Sequence, residues 1–506
     1  MRHISKHQAN SNAFRQCQNP RHWLCYLLLL AISSTSIAEN AGTIDLDGYL
    51  KLLGENHPLF QQKRFELASQ QAYRNSLLGA EDWVGYAEAS VYQQESTVNG
   101  SGPDTLWGHS SEVGVNRQFW STGGNLSLSW NVQNDTYGGN SDFYPNNEKR
   151  GVSQRVDIQY RHSLLGNRQG IAAREAWDLA GFQTSITELE TTLEQEQFLL
   201  SQGMIFLQWQ RWTDQKIILL RRISLAQKQL NQVILRRKSN LVDKVDVLRS
   251  EESLRASRQS LALITAAEQE LKTRILHLVS FDNTDGAEPN FSLGRDWVLP
   301  EKSEAILFLT NNDRQLKLYE QQKQQYQRRI ETVDNKLHGD LSVGIGLALK
   351  NHEDNVADSA SLDRNDTSVS IRYEIPLENR ELKMQHQRLH HQLQLLRVYR
   401  EKYLRDIQAR ALSLLSRISH MQNVLRLDRL QVEASVKTTK EEKRLYDQGR
   451  NDLPTVIQSQ DNEQQTRLRL IDNATNYQNL VLQLDSLLGR LVLRSQGKSG
   501  TLSLVK

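Results

Sequence analysis

Residues 341–349 read Leu-Ser-Val-Gly-Ile-Gly-Leu-Ala-Leu, so that Leu341, Val343, Ile345, Leu347 and Leu349 alternate with Ser342, Gly344, Gly346 and Ala348. A period of two marks a strand, because successive side chains point to opposite faces. One face is aliphatic throughout; the other is tiny. A polar loop, 351–365, leads to Val369, Ile371, Tyr373 and Ile375, which alternate with Ser370, Arg372 and Glu374. Strands of about ten residues with one apolar and one polar face have the dimensions of membrane-barrel strands. The same pattern would also suit a half-buried soluble sheet, and its surroundings decide between them.

Both flanks change to helical spacing. A helix is predicted from about Glu301 to Lys336, and a rod of similar character runs from Asn379 to Gly449, with a seam at Ala411, Leu414, Ile418, Met421 and Leu425. The same order of elements occurs earlier in the chain. Leu46, Tyr49, Leu50 and Leu53 open an amphipathic helix predicted to pass Pro58 and reach about Leu78. Alternation follows in three places: Trp83 to Tyr92, a hairpin of Val113–Phe119 and Leu126–Val132 around Ser121-Thr122-Gly123-Gly124, and Val156, Ile158 and Tyr160. Next comes a proline-free rod, Asn167 to Asn240, with Asn167 as its expected N-cap. Its seam is Ile205, Trp209, Trp212, Lys216, Leu219, Ile223, Ala226, Leu230 and Val233, a heptad pattern with one charged member. At 1.5 Å per residue each rod measures roughly 100 Å, far beyond a bilayer's thickness.

The repetition has two anchors. Val156-x-Ile158-x-Tyr160 matches Val369-x-Ile371-x-Tyr373, each leading through a leucine (Leu164, Leu377) into a rod. At the far end of the rods, Asn240-Leu241-Val242-Asp243 matches Gly449-Arg450-Asn451-Asp452. Asn and Gly both adopt the left-handed conformation that ends a helix, Asp243 and Asp452 are placed to cap the returning helices, and Pro454 suits a first turn. The expected organisation is a signal peptide (1–38), a first structural repeat (39–280), a linker (281–300), a second repeat (301–493) and a tail (494–506).

Arg2, Lys6, Arg15 and Arg21 precede an apolar run from Trp23 to Ile32, and Ser36-Ile37-Ala38 offers a cleavage site, the pattern of an export signal. Cys17 and Cys25 both precede that site, so no lipid anchor and no cysteine is expected in the mature chain. Removing the four cations turns the net charge of +3 into −1, which points neither to nucleic acid nor to an anionic surface. No run of eighteen apolar residues occurs, which excludes a membrane-spanning helix and leaves a barrel open. Six strands, or four if the hairpin stands above the membrane as an extension, cannot close a barrel, since the smallest have eight. Chains must combine: three would give twelve or eighteen strands. The tryptophans Trp83, Trp107, Trp120 and Trp130, with Tyr86, Tyr92 and Tyr160, suit an interfacial girdle.

This order of elements over Leu46 to Leu491, and above all the strand-to-helix passage Tyr160–Arg168 and the tips Asn240–Leu248 and Gly449–Ile457, resembles the TolC-like outer-membrane efflux proteins. The resemblance implies a fold that is mainly α with a membrane β-barrel portion. It implies a homotrimeric tunnel through the outer membrane and periplasm, docked by its tips on a periplasmic adaptor (membrane fusion) protein and an inner-membrane transporter. Such ducts serve tripartite efflux or type I secretion of drugs, metals or proteins. The expected lumen face is Ser342, Gly344, Gly346, Arg372 and Glu374; the lipid face is Leu341, Val343, Ile345, Leu347, Val369, Ile371 and Tyr373. Docking falls to Asn240, Leu241, Val242, Asp243, Gly449, Arg450, Asn451 and Asp452. Where some family members carry aspartates that ring the entrance, this chain has Thr455 and Gln458; Asp452 and Asp461 lie nearby.

No phosphate loop, nucleophile elbow or paired cysteine occurs, and neither enzyme, cofactor nor metal is expected. His386, His390 and His391 lie a helical turn apart with only Glu381 near them in sequence, and read as a solvated face. The competing reading of the whole chain is a periplasmic coiled-coil scaffold without a channel, for which the five aliphatics of 341–349 would have no purpose.

Overall fold

The computed structural model describes residues 43–95, 105–138, 150–280 and 287–497. The expected signal peptide and most of the tail lie outside them, as do residues 139–149.

A short strand β1 (Thr43–Ile44) leads to α1 (Leu46–Asn56) and α2 (Pro58–Ser76), then β2 (Val84–Glu95), β3 (Thr105–Phe119), β4 (Gly124–Gly138) and β5 (Arg150–Ser163). The rod α3 (Glu175–Lys238) and its return α4 (Lys244–Leu278) complete the first unit. The second comprises β6 (Glu288–Pro289), α5 (Lys302–Asn312), α6 (Arg314–Leu337), β7 (Asp340–Glu353), the single-turn α7 (Val356–Ser359), β8 (Arg364–Glu374), the rod α8 (Arg380–Asp447), α9 (Leu453–Leu487) and α10 (Leu491–Ser495).

Neither helix preceding the strands is continuous. Pro58 forces His57 into an extended conformation and starts α2, whose first turn His57 caps through Nδ1. In the second unit Asp313 makes the same break by accepting the Leu316 amide at 2.8 Å. Both breaks leave an 11-residue helix in front, α1 and α5, a third mark of duplication. The start of the first rod also differs from expectation. Asn167 does not cap α3, which begins at Glu175; its Oδ1 instead accepts the Ala173 amide at 2.9 Å, within a kinked lead-in. Gly170 sits at φ +69° with the Trp120 carbonyl where a Cβ would be, so the lead-in packs against the β3–β4 turn.

The helices form a layer of parallel staves. α4 and α9 line the tip halves of α3 and α8, whereas α2 and α6 line the strand-side halves. Phe60 and Lys63 of α2 meet Phe198 and Glu194 of α3, while Arg211 and Gln215 of α3 meet Asp472 of α9. At 1.5 Å per residue the 64-residue α3 is about 96 Å long. Of its expected seam, Trp209, Leu219, Ala226, Leu230 and Val233 are buried, but Trp212 and Lys216 are only half-buried, Lys216 being paired with Glu268 at 2.6 Å. Buried Arg222 takes a place that the heptad reading passed over.

The main core lies midway along the rods, where Tyr49, Leu53, Phe206, Trp209, Ile275, Ile418 and Tyr477 meet. The described part of the expected linker, 287–300, belongs to this core. β6 pairs with β1, Leu293 is buried, and Trp297 donates from its backbone to Tyr477 Oη and from its ring to Gln478 Oε1. Its Asn, Gly and Pro suggest a free loop, but apolar side chains at every second to fourth position tie it down.

Candidate functional site: two sheet faces and two helical tips

β2 to β5, β7 and β8 form one antiparallel sheet in the order β2-β3-β4-β5-β7-β8. The β3–β4 hairpin is therefore part of the sheet, and its turn points toward the helices, where the Trp120 amide donates to Glu81. It is not an extension above the sheet.

The registers settle which residues share a face, because directly paired residues point the same way. Val369, Ile371 and Tyr373 pair with Ile345, Val343 and Leu341. Ile345 and Leu347 pair with Tyr160 and Ile158, which pair with Leu126 and Leu128. Leu128 and Trp130 pair with Val115 and Val113, and these with Gly85 and Ala87. One apolar face thus runs unbroken across six strands, and in a single chain most of it is exposed: Val369 is 72%, Ile371 74% and Ile345 57% accessible. Ser342, Gly344, Gly346, Arg372 and Glu374 lie together on the opposite face, beside Gln159, Asp157, Ser129, Glu112 and Glu88.

Along β7 the apolar run from Leu341 to Leu349 covers about 27 Å of strand, or about 20 Å of height at a barrel's tilt, near the 25 Å apolar band of outer-membrane barrels. Both ends of the band are marked. At the helix side Arg117 lies over the rings of Trp83 and Phe119. At the far side the face turns polar at Gln154 and Asn351, and the segment around α7 folds over them: Gln154 donates to the Val356 carbonyl, and Asn351 donates to Ser361 Oγ. Both are only 3% exposed, so water-seeking groups beyond the band are satisfied internally.

Not every aromatic fits a girdle. Tyr86 and Tyr92 fall on the polar face, where they donate to Glu112 and Asp135, because even positions of β2 point that way. Trp120 is buried beneath the sheet against Trp177.

At the opposite end the rods turn in the same way twice. Asn240 (φ +49°) follows α3, with the Leu241 amide donating to the Arg236 carbonyl and the Asn240 amide to that of Arg237. Gly449 (φ +71°) follows α8, with Arg450 donating to Leu445 and Gly449 to Tyr446. These are two Schellman motifs at matching positions. Leu241 is exposed; beneath the turns, Val233, Tyr446, Leu453 and Val456 are buried against Val242, Val247 and Ile457. The returning helices differ in their caps. Asp452 accepts from the Thr455 amide and hydroxyl, which hold its carboxyl below the usual range. The Asp243 side chain makes no such bond; the Asp246 amide at the equivalent third position donates to the Asp243 backbone carbonyl instead, at 3.1 Å. Nothing lies within 4 Å of a Cβ added at Gly449, so Gly449→Ala is expected to cost only its backbone strain, about 1–2 kcal/mol. Faster amide exchange confined to 445–452 would register this loss.

More than four helical turns before the end of α3, Arg222, 4% exposed, joins three helices: it donates to Gln460 Oε1 (2.9 Å), Asp461 Oδ1 (2.7 Å) and Ser253 Oγ (2.9 Å). Asp461 is therefore the partner of a buried cation, and Thr455 serves the Asp452 cap. Sequence reasoning missed Arg222 because two of its three partners, Gln460 and the charged Asp461, are more than two hundred residues away, on α9. The histidines have a partner that was equally hidden: His386 Nε2 lies 2.9 Å from Asp334 of α6 and 3.1 Å from His390 Nε2. Among the described residues no group of three or more His, Cys, Asp or Glu is arranged to hold a metal.

Neither a protein-family model nor any curated protein matches this sequence. Solved structures do match its fold. The outer membrane protein VceC from Vibrio cholerae is 11% identical, with 88% of this chain and 96% of that one covered at a TM-score of 0.61. CusC, described as forming a transmembrane channel, is 10% identical over 90% of this chain and 95% of that one, at 0.64. The MtrE outer membrane channel of Neisseria gonorrhoeae is 11% identical over 88% and 89%, at 0.58. The chain thus has the fold of these channels, helical hairpins continued by strands, nearly end to end.

Proposed function

We propose that this chain is one protomer of a homotrimeric outer-membrane duct, a passive exit for a tripartite efflux or type I secretion system. The observation that carries this reading is the unbroken apolar face on an open six-stranded sheet, joined directly to staves about 100 Å long. In the proposed assembly Leu341, Val343, Ile345, Leu347, Val369, Ile371 and Tyr373 face lipid, whereas Ser342, Gly344, Gly346, Arg372 and Glu374 face the lumen. A sheet edge left unpaired in lipid costs several kcal/mol per backbone group, so the barrel closes only between copies. A scaffold would have no use for an exposed apolar sheet of bilayer height.

The tips, Asn240–Asp243 and Gly449–Asp452, are proposed to dock on a periplasmic adaptor that links the duct to an inner-membrane transporter. Photocrosslinkers at Leu241 and Asn451 are expected to capture one adaptor; capture of none in cells that retain the trimer would contradict the docking assignment.

Gating is assigned to the helical hairpins, where contacts can be exchanged between discrete arrangements. Arg222 holds α4 and α9 to α3, so Arg222→Ala is expected to loosen the entrance. Single-channel conductance should rise severalfold and bulky antibiotics should leak inward. An unchanged conductance would place the gate elsewhere.

A further inference from the structure

We infer that the barrel has eighteen strands, six from each chain, closed by β8 of one copy pairing with β2 of the next. The inference rests on the trimeric reading above and adds the strand count, the seam and the width of the exit.

Three observations support it. First, the β3–β4 hairpin is an integral part of the wall. β3 pairs with β2 from Thr105 to Asn116 and β4 with β5 from Asn125 to Thr136, and both faces continue through them without a change of parity. Its turn is seated on the lead-in to α3 through Gly123 and Gly170, so the hairpin spans the same height as its neighbours.

Second, the two edges fit each other. β2 has 12 residues and β8 has 11, and both are exposed along nearly their whole length. With every neighbour antiparallel, an even number of strands leaves β2 and β8 running in opposite directions with their helix-proximal ends level. The next copy can therefore continue the antiparallel ladder. Faces continue as well if odd positions of β2 (Gly85, Ala87, Ala89, Val91) oppose odd positions of β8 (Val369, Ile371, Tyr373).

Third, the circumferences agree. Each chain presents four staves at any level, so three chains make a ring of twelve; at 8–10 Å between helix axes its circumference is about 100–120 Å. Eighteen strands spaced about 4.8 Å apart and tilted about 40° give about 110 Å. Twelve strands would give only about 75 Å by the same geometry. Eighteen thus continue the helical ring without a taper, and the cross-section, which grows with the square of strand number, is about twice that of a twelve-stranded barrel.

The test uses the full-length protein, in which introduced cysteines become the only ones after signal removal. Ser90→Cys on β2 and Ser368→Cys on β8 both lie on the polar face. In the double variant a flexible bismaleimide is expected to produce a covalent trimer that survives boiling. Leu128→Cys, on the apolar face of β4, carries a fluorophore that a lipid-soluble quencher should reach. A heat-sensitive trimer without the Ser90–Ser368 crosslink, or one whose Leu128 probe is quenched only from water, overturns the eighteen-stranded wall while leaving the channel intact. Absence of any trimer overturns both.

Discussion

Ile345→Arg is expected to eliminate the heat-sensitive oligomer from the outer-membrane fraction. Ile345 lies mid-strand on β7, 57% exposed, between Tyr160 and Val369 on the apolar face. An arginine at the midplane of a barrel's lipid face costs about 2–4 kcal/mol, and a trimer bears that cost three times. The total, about 6–12 kcal/mol, is comparable to the whole stability of a typical domain, about 5–15 kcal/mol. Ser368→Arg on the neighbouring strand is the control: it adds the same charge to the other face, and its trimer should persist. Equal tolerance of both substitutions would mean that neither face meets lipid.

Glu196→Ala is expected to cost about 3–5 kcal/mol and to unfold the middle of the rods first. Glu196 of α3 is buried, accepting from the amides of Leu491 (2.8 Å) and Val492 (3.3 Å) and from Arg314 (3.0 Å). Arg314 also donates to the Gly489 carbonyl, so one ion pair fastens α3, α6 and the start of α10. Truncation leaves two amides and a guanidinium without their acceptor. Burial raises the Glu196 carboxyl above its ordinary range, against the pull of those donors. The folded chain therefore binds this proton more tightly than the unfolded one, and the contribution grows as pH falls through the folded value. The gap in thermal midpoint between wild type and Glu196→Ala should accordingly widen from neutral pH toward pH 5. A constant gap would contradict the burial argument.

Faces and tips were legible in the sequence because each depends on local chemistry. Parity alone sorts Leu341 to Leu349 and Val369 to Tyr373, and positive φ at a helix end selects Asn240 and Gly449. What stayed hidden depends on partners distant in the chain. Lys216 and Arg222 look alike as charges near an apolar seam, yet one pairs at the edge of the seam and the other is enclosed by Ser253, Gln460 and Asp461. Strand ends were read too short because outer-rim positions such as Gln154 and Asn351 break the apolar alternation and are rescued by the segment around α7. Helix breaks at His57 and Asp313 were missed because each leaves the apolar period on both sides intact.

Whether three copies enclose a continuous water-filled path is decided by single-channel recording of the purified protein in a planar bilayer. Long-lived ohmic currents from a species of three chains are expected, raised by Arg222→Ala and abolished by Ile345→Arg. A protein that washes off membranes in carbonate and carries no current would contradict it.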